Sequence, residues 1–552
     1  MKGLKMVEVH TLKGHEAIGR ALADNGVDTM FGLMGDANLY MVNSFVRDTG
    51  GTFVAAANEM GAALMALGFA QTSGRTGVAT VTHGPGLMNT LTALVEGVKG
   101  QIPMLLLCGD TAAEDRDGLQ NIPQRESIVA TGAGFEQIRS LRTLTRDVGM
   151  ALRRTDLERR PIALNMPIEF QWADCAYESW TYKAAAKRAF VPASDNLDDA
   201  IGIIATARRP IVLAGRGAMD EEARSMVLRL AARIDAPVAT TLKAKDLFLG
   251  EDYNLGIVGT MSTEVALDEI SSADCIIAFG AGLNKYTTVD GALLRGKRVI
   301  QVNQEPTEIG RFAIPTVGLV GDPKLVAEKI IHWLDEAELP PSGYRNLDLK
   351  QRLQAYKPWN GLNSKGTATT VDLRQALLWL NDAVPADRVL VTDGGRFVGE
   401  PCKLITTSGA RSFVYTLDFG SIGFGVSEAI GASFGAGGRP TLLVAGDGGF
   451  MLGGLAEFNT AVRYGVDLIV AVCNDGAYGA EHIQFRRKGM DPRLTTFDWP
   501  DFAPVAEALG GQGVTIRTEA DFDAAACAIQ NRQGPVLIDI KLDPDRVPEP
   551  SF

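Results

Sequence analysis

Residues 444–458 read VAGDGGFMLGGLAEF and lie where an apolar strand passes into a segment with helical spacing. Gly446, Asp447 and Gly448 therefore fall on a strand-to-helix turn, the edge at which open α/β sheets bind ligands. Glycines there let the backbone approach a phosphate, the next helix offers unpaired N–H groups, and a carboxylate can bind a divalent metal ion. The stretch predicts either a site for a metal-bound diphosphate or a structural turn, since Gly and Asp are common turn formers.

A second polar turn lies downstream. From Asp467 the sequence is DLIVAVCNDGAYGAEH, an apolar strand whose carboxyl end carries Asn474 and Asp475. Because the carboxyl ends of neighbouring parallel strands meet at one edge of a sheet, these oxygen ligands are expected near Asp447. The two turns together favour one octahedral site for a divalent metal ion over a structural turn.

These motifs resemble those of the acetolactate synthase, benzaldehyde lyase and pyruvate decarboxylase group of thiamine-diphosphate enzymes. The shared features are a GDG turn, a segment of this length, and an Asn-Asp pair followed by an aromatic-Gly pair, here Tyr478 and Gly479. The resemblance covers nearly the whole chain. It implies an α/β fold of three doubly wound parallel-sheet domains: pyrimidine-binding at 1–180, Rossmann-like at 192–340, and diphosphate-binding at 368–552.

The composition is that of a soluble globular protein. Of 552 residues, 46% are hydrophobic and 22% charged, and no apolar run is long enough to span a membrane. The net charge of −12 argues against nucleic acid as the main partner. The six cysteines show no paired spacing and the N-terminal residues lack the apolar stretch of a signal peptide, so a cytoplasmic location is expected.

A helix of small apolar residues follows Glu59 in the segment FVAAANEMGAALMALGFAQ. It is apolar on every side, which predicts burial against another helix. Glu59 is either a carboxylate favoured by the helix N-terminus or, as the resemblance implies, the group that hydrogen-bonds to the cofactor pyrimidine. In that role a buried Glu59 shares a proton with the pyrimidine ring, and the cofactor's own amino group takes the thiazolium proton.

Residues 83–89, HGPGLMN, are similar to the GPG-x-x-N turn of the same family. His83 is either a loop histidine or a group that reaches the substrate. Gln120 matches a family glutamine that points at the reacting centre. The order of strand, turn, helix and strand around this motif repeats that of residues 441–475, which indicates two halves of similar topology.

The middle domain carries two strand-then-glycine turns, RRPIVLAGRGAM and DCIIAFGAGLNKY. Neither completes a dinucleotide fingerprint with an acidic residue at the required distance. The resemblance implies FAD, ADP or no nucleotide in such a domain, and no arginine suited to a flavin lies around 282–286. The sequence therefore favours a middle domain without a nucleotide.

Two turns of the last domain match cofactor-binding turns of the family. Asp393 begins a Gly-Gly-Arg turn that lies beneath the diphosphate by resemblance, and Gly420, Ser421 and Ile422 match the loop that contacts the aminopyrimidine, with Ile422 wedged between the two cofactor rings. The alternative for that loop is a glycine-rich helix start. The predicted cofactor-binding residues are Glu59, Gly394, Gly395, Arg396, Gly420, Ile422, Gly446, Asp447, Gly448, Gly449, Asp475, Ala477 and Tyr478.

The metal ligands depend on which motif is used for counting. Counting back from Tyr478, the family pattern gives the side chain of Asp475 and the carbonyl of Ala477, in addition to Asp447. Counting forward from Asp447 favours Asn474. One extra residue before Glu457 explains the difference, so Asp475 is preferred.

The resemblance implies a lyase or transferase that acts on a small 2-oxo acid or aldehyde through an enamine intermediate. The residues expected to face the substrate are mostly small or uncharged, which favours a carboligase over a 2-oxo acid decarboxylase or a 2-hydroxy ketone lyase. A flavin or nicotinamide oxidoreductase and a non-catalytic subunit are two further hypotheses. The predicted catalytic residues are Glu59, His83, Gln120 and Glu481, with Met34, Ala477 and Ala480 beside the substrate.

Assembly follows from the separation of the two halves of the site. Glu59 lies in the first domain and the metal turn in the third, and the apolar helix after Glu59 needs a partner to cover it. The family places the cofactor between two subunits, which would meet both requirements. A homodimer or homotetramer is therefore expected.

Overall fold

A computed structural model describes residues 10–183, 190, 194–357 and 366–548. They form three six-stranded parallel sheets flanked by helices, which confirms the predicted fold class. The boundaries at 1–180, 192–340 and 368–552 stay predictions, and parts of the first and last ranges and of both linkers lie outside the described residues. The chain divides into two compact units, one of residues 1–184, 391–395 and 414–544, the other of residues 185–390, 396–413 and 545–552.

The N-terminal sheet has the strand order β3-β2-β4-β5-β7-β6. Its order reverses between β2 and β4, so the loop after β4, which carries His83, lies at a topological switch point. A separate antiparallel pair is formed by β1 and β8. The strands are β1 (His10–Lys13), β2 (Thr29–Gly32), β3 (Thr52–Ala55), β4 (Gly77–Val81), β5 (Met104–Asp110), β6 (Gly134–Gln137), β7 (Pro161–Pro167) and β8 (Asp174–Tyr177). The helices are α1 (Gly14–Asp24), α2 (Leu39–Thr49), α3 (Glu59–Ser73), α4 (Pro85–Met88), α5 (Leu91–Gly100), α6 (Gln124–Ala130), α7 (Leu144–Glu158) and α8 (Ile168–Gln171).

The middle sheet has the order β11-β10-β9-β12-β13-β14. Its switch point lies between β9 and β12, where the two predicted glycine turns meet. A Cβ on Gly217 would stand 2.8 Å from Cα of Gly280, so these glycines allow the two backbones to pack together. The elements are β9 (Pro210–Ala214), β10 (Val238–Thr240), β11 (Asn254–Ile257), β12 (Cys275–Phe279), β13 (Arg298–Asn303), β14 (Val317–Val320), α9 (Ser194–Ala205), α10 (Glu221–Arg233), α11 (Glu264–Ser272), α12 (Lys285–Thr288), α13 (Pro323–Glu336) and, after the sheet, α14 (Leu347–Ala355).

The C-terminal sheet has the order β16-β15-β17-β18-β20-β19. Its order reverses between β15 and β17, which places the turns that begin at Asp393 and Asp447 side by side at the switch point. The strands are β15 (Val389–Thr392), β16 (Phe413–Tyr415), β17 (Thr441–Gly446), β18 (Leu468–Asn474), β19 (Gln512–Ile516) and β20 (Val536–Lys541). The helices are α15 (Leu373–Ala383), α16 (Gly399–Leu404), α17 (Gly425–Gly435), α18 (Asp447–Gly449), α19 (Leu455–Arg463), α20 (Gly479–Arg487), α21 (Phe502–Ala508) and α22 (Phe522–Gln530).

Helix α3 is buried on every side, as its composition predicts. Its partner is α17 of the same chain. A Cβ on Gly68 would stand 2.0 Å from the carbonyl oxygen of Glu428, and one on Gly431 would stand 1.8 Å from that of Met65, so the two helices cross at backbone contact. The expectation that α3 needs a second subunit for its burial is therefore wrong, because α17 covers it.

Within the described part of the chain, no helix combines the length and the apolar composition needed to cross a membrane.

Candidate active site

The predicted diphosphate turn lies at the end of β17. Gly446 ends the strand, Asp447–Gly449 form one helical turn, Phe450–Gly454 form a π-helical turn, and α19 follows. A π-helical turn accommodates one residue more than an α-helical turn and is frequent at functional sites. The π-helical turn at Phe450–Gly454 therefore accommodates the extra residue that the sequence indicates before Glu457.

Asp447 is only 2% exposed. Its Oδ1 accepts a hydrogen bond from the N–H of Gly448 at 2.7 Å and its Oδ2 one from Gly476 at 2.7 Å, so the turns after β17 and β18 are in direct contact. Burial raises the pKa of Asp447 to about 6 despite these bonds. A buried carboxylate at a switch point, held by backbone amides, fits a divalent cation that would favour its charged form.

The β18 turn distinguishes the two candidate ligands. The Asn474 side chain donates to Oδ1 of Asp539 at 2.8 Å, and the carbonyl of Gly476 accepts from Phe497 at 2.7 Å. Asp475 Oδ1 accepts from the N–H of Ala477 at 3.1 Å. The side-chain amide of Asn474 is thus engaged with a buried carboxylate, and the pair of the Asp475 carboxylate and the Ala477 carbonyl stays the preferred prediction.

The predicted metal ligands are two carboxylates and one main-chain carbonyl. Among the described residues, no three His, Cys, Asp or Glu side chains group closely enough to hold a metal ion by themselves. Magnesium commonly binds a protein through one or two carboxylates and takes its remaining ligands from water and substrate phosphates.

Asp393 supports the loop that carries Ile422. Its Oδ2 accepts from the N–H of Gly423 at 3.1 Å and its Oδ1 from Gly394 at 2.6 Å, and burial raises the pKa of this carboxyl to about 6. A Cβ on Gly394 would stand 3.0 Å from Cγ2 of Ile422, so the two predicted cofactor-binding residues lie side by side. Sequence reasoning placed Asp393 in a turn and missed this hydrogen-bonded support.

Glu59 is the first residue of α3. Its Oε2 accepts a hydrogen bond at 2.9 Å from the side chain of Asn89, the last residue of the HGPGLMN motif. The two predicted pyrimidine-site motifs are therefore brought together. The Glu59 side chain is half-buried, which differs from the burial expected of it.

The same edge holds His83 and Gln120. Gly84 has a φ of 60°, and a Cβ there would stand 2.3 Å from the carbonyl oxygen of Gln120, so the two loops are in contact. His83 is half-buried. Burial lowers its pKa, and the carboxylates Asp110, Asp36 and Asp115 act in the opposite direction.

Two residues at this edge were missed by sequence reasoning. Gln124, which is buried, accepts from the N–H of Gly84 at 2.9 Å and donates to the carbonyl of Gly109 at 2.9 Å, so it ties the His83 turn to β5. Asp110 ends β5, accepts from Asn165 at 2.9 Å, and has a pKa raised by burial. Asp110 ends an apolar strand, MLLLCGD, which was the available signal.

The other predicted residues differ in their exposure. Met34, Tyr478, Gly420 and Glu481 are exposed and form a rim, Gly446, Gly395 and Ala480 are partly exposed, and Gly448, Gly449 and Ala477 are buried. Arg396 is also buried, and it belongs to the second compact unit. The remaining predicted residues form two groups, one at the edge of the N-terminal sheet and one at the edge of the C-terminal sheet.

The contact between Gly453 and Gly423 gives a test of the π-helical turn. A Cβ on Gly453 would stand 2.2 Å from the carbonyl oxygen of Gly423, so Gly453→Ala is expected to displace the Ile422 loop and weaken cofactor affinity by about tenfold, with the fold kept. Titration calorimetry with thiamine diphosphate measures the change. Gly534→Ala is the control, since a Cβ there meets no atom within 4 Å; equal affinity in both variants would contradict the role of the turn.

Two sheets that present glycine turns at their switch points, one with a buried aspartate, define an enzyme for a diphosphate-bearing cofactor. Models of the thiamine pyrophosphate enzyme match three segments: the N-terminal TPP binding domain at residues 12–130, the central domain at 197–330 and the C-terminal TPP binding domain at 393–540. The chain belongs to this family and is a thiamine-diphosphate-dependent enzyme. Similar proteins carry the names acetyltransferase, decarboxylase and synthase.

Three relatives show the range of names. A sulfoacetaldehyde acetyltransferase of Alcaligenes xylosoxydans xylosoxydans is 25% identical over 97% of this chain and 94% of its own length. A probable 2-ketoarginine decarboxylase of Pseudomonas aeruginosa is 27% identical over 94% of this chain and 92% of its own. The large subunit of acetolactate synthase isozyme 2 of Escherichia coli is 26% identical over 96% of each chain.

Proposed function

We propose that this protein is a carboligase that activates a small 2-oxo acid or aldehyde and joins it to a second carbonyl compound. The observation that carries the proposal is the combination of a site for thiamine diphosphate with a substrate side on which small and uncharged groups predominate: Gln120 packs on Gly84, and Ala477 is buried beside the metal turn. Relatives named acetolactate synthase and sulfoacetaldehyde acetyltransferase support it.

The residues present fit thiamine diphosphate and Mg²⁺. Asp447, Asp475 and the Ala477 carbonyl would hold the metal ion, and the turn amides would face the diphosphate. When bound, the cofactor supplies a nucleophilic thiazolium carbon and an electron sink. A middle domain without FAD or ADP stays the prediction, because neither glycine turn completes a dinucleotide fingerprint.

The chain's own residues would orient the cofactor and hold a proton at its pyrimidine ring. Glu59, oriented by Asn89, would hold a proton against the pyrimidine ring, and Ile422, supported through Gly423, would fix the cofactor's bend. Gln120 would orient the second carbonyl compound. His83 and Glu481 are the remaining proton donors at the rim.

The half-buried Glu59 and the exposed rim support a site completed by a second copy of the chain. In that arrangement, Glu59 of one subunit faces the Asp447 turn of its partner. A homodimer is the smallest assembly that provides it, and a homotetramer contains the same pair twice. Six free cysteines, five of them buried, support a reducing compartment such as the cytoplasm.

Decarboxylation is the second candidate, and one observation favours it. Three carboxylates, Asp36, Asp110 and Asp115, lie close enough to His83 to affect its pKa. Such a setting suits a 2-oxo acid with a cationic end and a histidine that returns a proton after CO₂ leaves. A relative named as a probable 2-ketoarginine decarboxylase fits this alternative.

Analysis of the reaction products distinguishes the carboligase from the decarboxylase. With pyruvate and an acceptor aldehyde or second 2-oxo acid, the parent protein is expected to form an acyloin or acetohydroxy acid, because Gln120 and the small side chains of Ala477 and Ala480 leave space for the acceptor. Chromatography of the products with and without acceptor is the measurement. Free aldehyde as the sole product with every acceptor, or turnover of only a cationic 2-oxo acid, would establish decarboxylation instead.

A further inference from the structure

Helix α19 begins just beyond the metal-binding turn and contacts the backbone that leads into Glu59. The carboxylate of Glu457, on α19, accepts from the N–H of Ala57 at 3.0 and 3.1 Å and from the N–H of Asn58 at 3.1 Å. Ala57 and Asn58 are the two residues before Glu59. Glu457 is fully buried, although it lies in a different domain from the backbone that it holds.

The end of α19 and the residue after it contact the same backbone further upstream. Arg463 donates to the carbonyl of Ala55 at 2.7 Å, and the hydroxyl of Tyr464 accepts from the N–H of Ala55 at 2.7 Å. Three of the four residues from Ala55 to Asn58 are thereby hydrogen-bonded to α19 or to the residue after it, and Ala56 bonds to Gly32 of β2. Main-chain bonds to a rigid helix fix the direction in which the next side chain, Glu59, leaves the backbone.

The fit around Glu457 is close. A Cβ on Gly61 would stand 2.1 Å from Oε1 of Glu457, so only glycine leaves room for the carboxylate at the start of α3. Burial raises the pKa of Glu457, and its hydrogen bonds to backbone amides oppose that effect. The helix N-terminus, with its unpaired N–H groups, favours a carboxylate at this place.

We propose that Glu457 is a positioning residue for Glu59, and that it links the position of Glu59 to the metal-binding turn of the same chain. The link runs from Asp447 through the π-helical turn and α19 to Glu457 and then to the Glu59 backbone. The inference deepens the proposed function and rests on it for the role of Glu59. If the site combines two subunits, Glu457 connects the metal turn of one site with the Glu59 of the other.

Amide hydrogen exchange of the cofactor-free protein tests the contact directly. In Glu457→Gln, the N–H groups of Ala57 and Asn58 lose the charged acceptor and are expected to exchange at least about tenfold faster. Mass spectrometry of peptides that cover residues 55–60 reads them. The matched control is Glu428→Gln, since Glu428 is also fully buried but bonds to Gln71 on the far part of α3; it is expected to leave these amides unchanged.

Gly61→Ala disturbs the same contact by a change on α3 and keeps the charge of Glu457. Its methyl group displaces the carboxylate, while alanine is a better helix former than glycine. It is expected to accelerate exchange at residues 57 and 58 as Glu457→Gln does. Parent-like protection of the amides of residues 57 and 58 in both variants would overturn the proposal.

The loaded enzyme gives the second readout. In both variants, exchange of the thiazolium proton is expected to slow about tenfold or more at saturating cofactor, with the dissociation constant changed less than about threefold, because Glu59 acts on activation and the diphosphate supplies most of the affinity. Added Mg²⁺ and cofactor should further protect residues 57 and 58 in the parent but not in Glu457→Gln.

Two results would refute a positioning role. One is faster amide exchange with an unchanged thiazolium proton rate, and the other is weaker cofactor binding as the main effect. Failure of the parent to bind the cofactor would refute the proposed function instead, and the amide exchange would still decide whether Glu457 holds this backbone.

Discussion

Asp447→Ala is expected to abolish retention of thiamine diphosphate and to weaken its affinity by at least about a hundredfold, because the diphosphate loses its metal-mediated contact with the protein. The fold should remain, since the side chain lies in a turn at the sheet edge and outside the apolar core. Calorimetric titration with cofactor and Mg²⁺ measures the loss, and circular dichroism checks the fold. Asp523→Ala removes the same charge from an exposed site on α22 and should bind as the parent does.

The neighbouring turn sharpens this prediction. Asp475→Ala should resemble Asp447→Ala in its loss of metal affinity. Asn474→Ala should instead reduce stability with less effect on binding, because Asn474 bonds to the buried Asp539. Unchanged cofactor affinity in Asp447→Ala would rule out the metal site, and a larger binding loss in Asn474→Ala than in Asp475→Ala would reverse the choice of ligand.

The sequence predicts the turns well, because they depend on local patterns, and its resemblance to the family supplies the fold of three parallel-sheet domains. Glycines and carboxylates at the ends of apolar strands are enough to identify the Asp393, Asp447 and Asn474 turns. The parallel order of the strands then brings those turns to one edge. The family resemblance supplies the roles of Glu59 and Ile422, which no local pattern gives, and those roles stay predictions.

The sequence does not show which residues distant in the chain pack against or hydrogen-bond to one another in the fold. The small residues of α3 indicate close approach to a helix, but they do not say that the helix is α17 of the same chain. Gln124 and Glu457 look like ordinary polar helical residues until the fold places Gly84 beside one and Ala57 beside the other. The half-burial of Glu59 likewise depends on which surface lies against it, and no local pattern in the sequence gives that surface.

Glu59→Gln is expected to bind the cofactor nearly as the parent does, but to slow exchange of the thiazolium proton by about a hundredfold or more, the range that general acid–base groups contribute. Glutamine keeps the size and can still pair with Asn89, but it cannot share a proton with the pyrimidine ring. Quenched deuterium exchange of the bound cofactor, read by proton NMR, measures the rate. Glu126→Gln changes an exposed glutamate on α6 and should exchange at the parent rate.

The same variant also tests whether the site is shared between two chains. Glu59→Gln and Asp447→Ala should each be nearly inactive alone. If Glu59 of one subunit serves the Asp447 turn of its partner, a mixed dimer contains one site with both residues intact and one with both replaced. Random pairing at equal amounts then restores about a quarter of the parent activity, because half of the dimers are mixed and each has one working site of two. Co-expression with two different affinity tags isolates the mixed dimer, and its complete inactivity would show that Glu59 and Asp447 of a single chain serve one site.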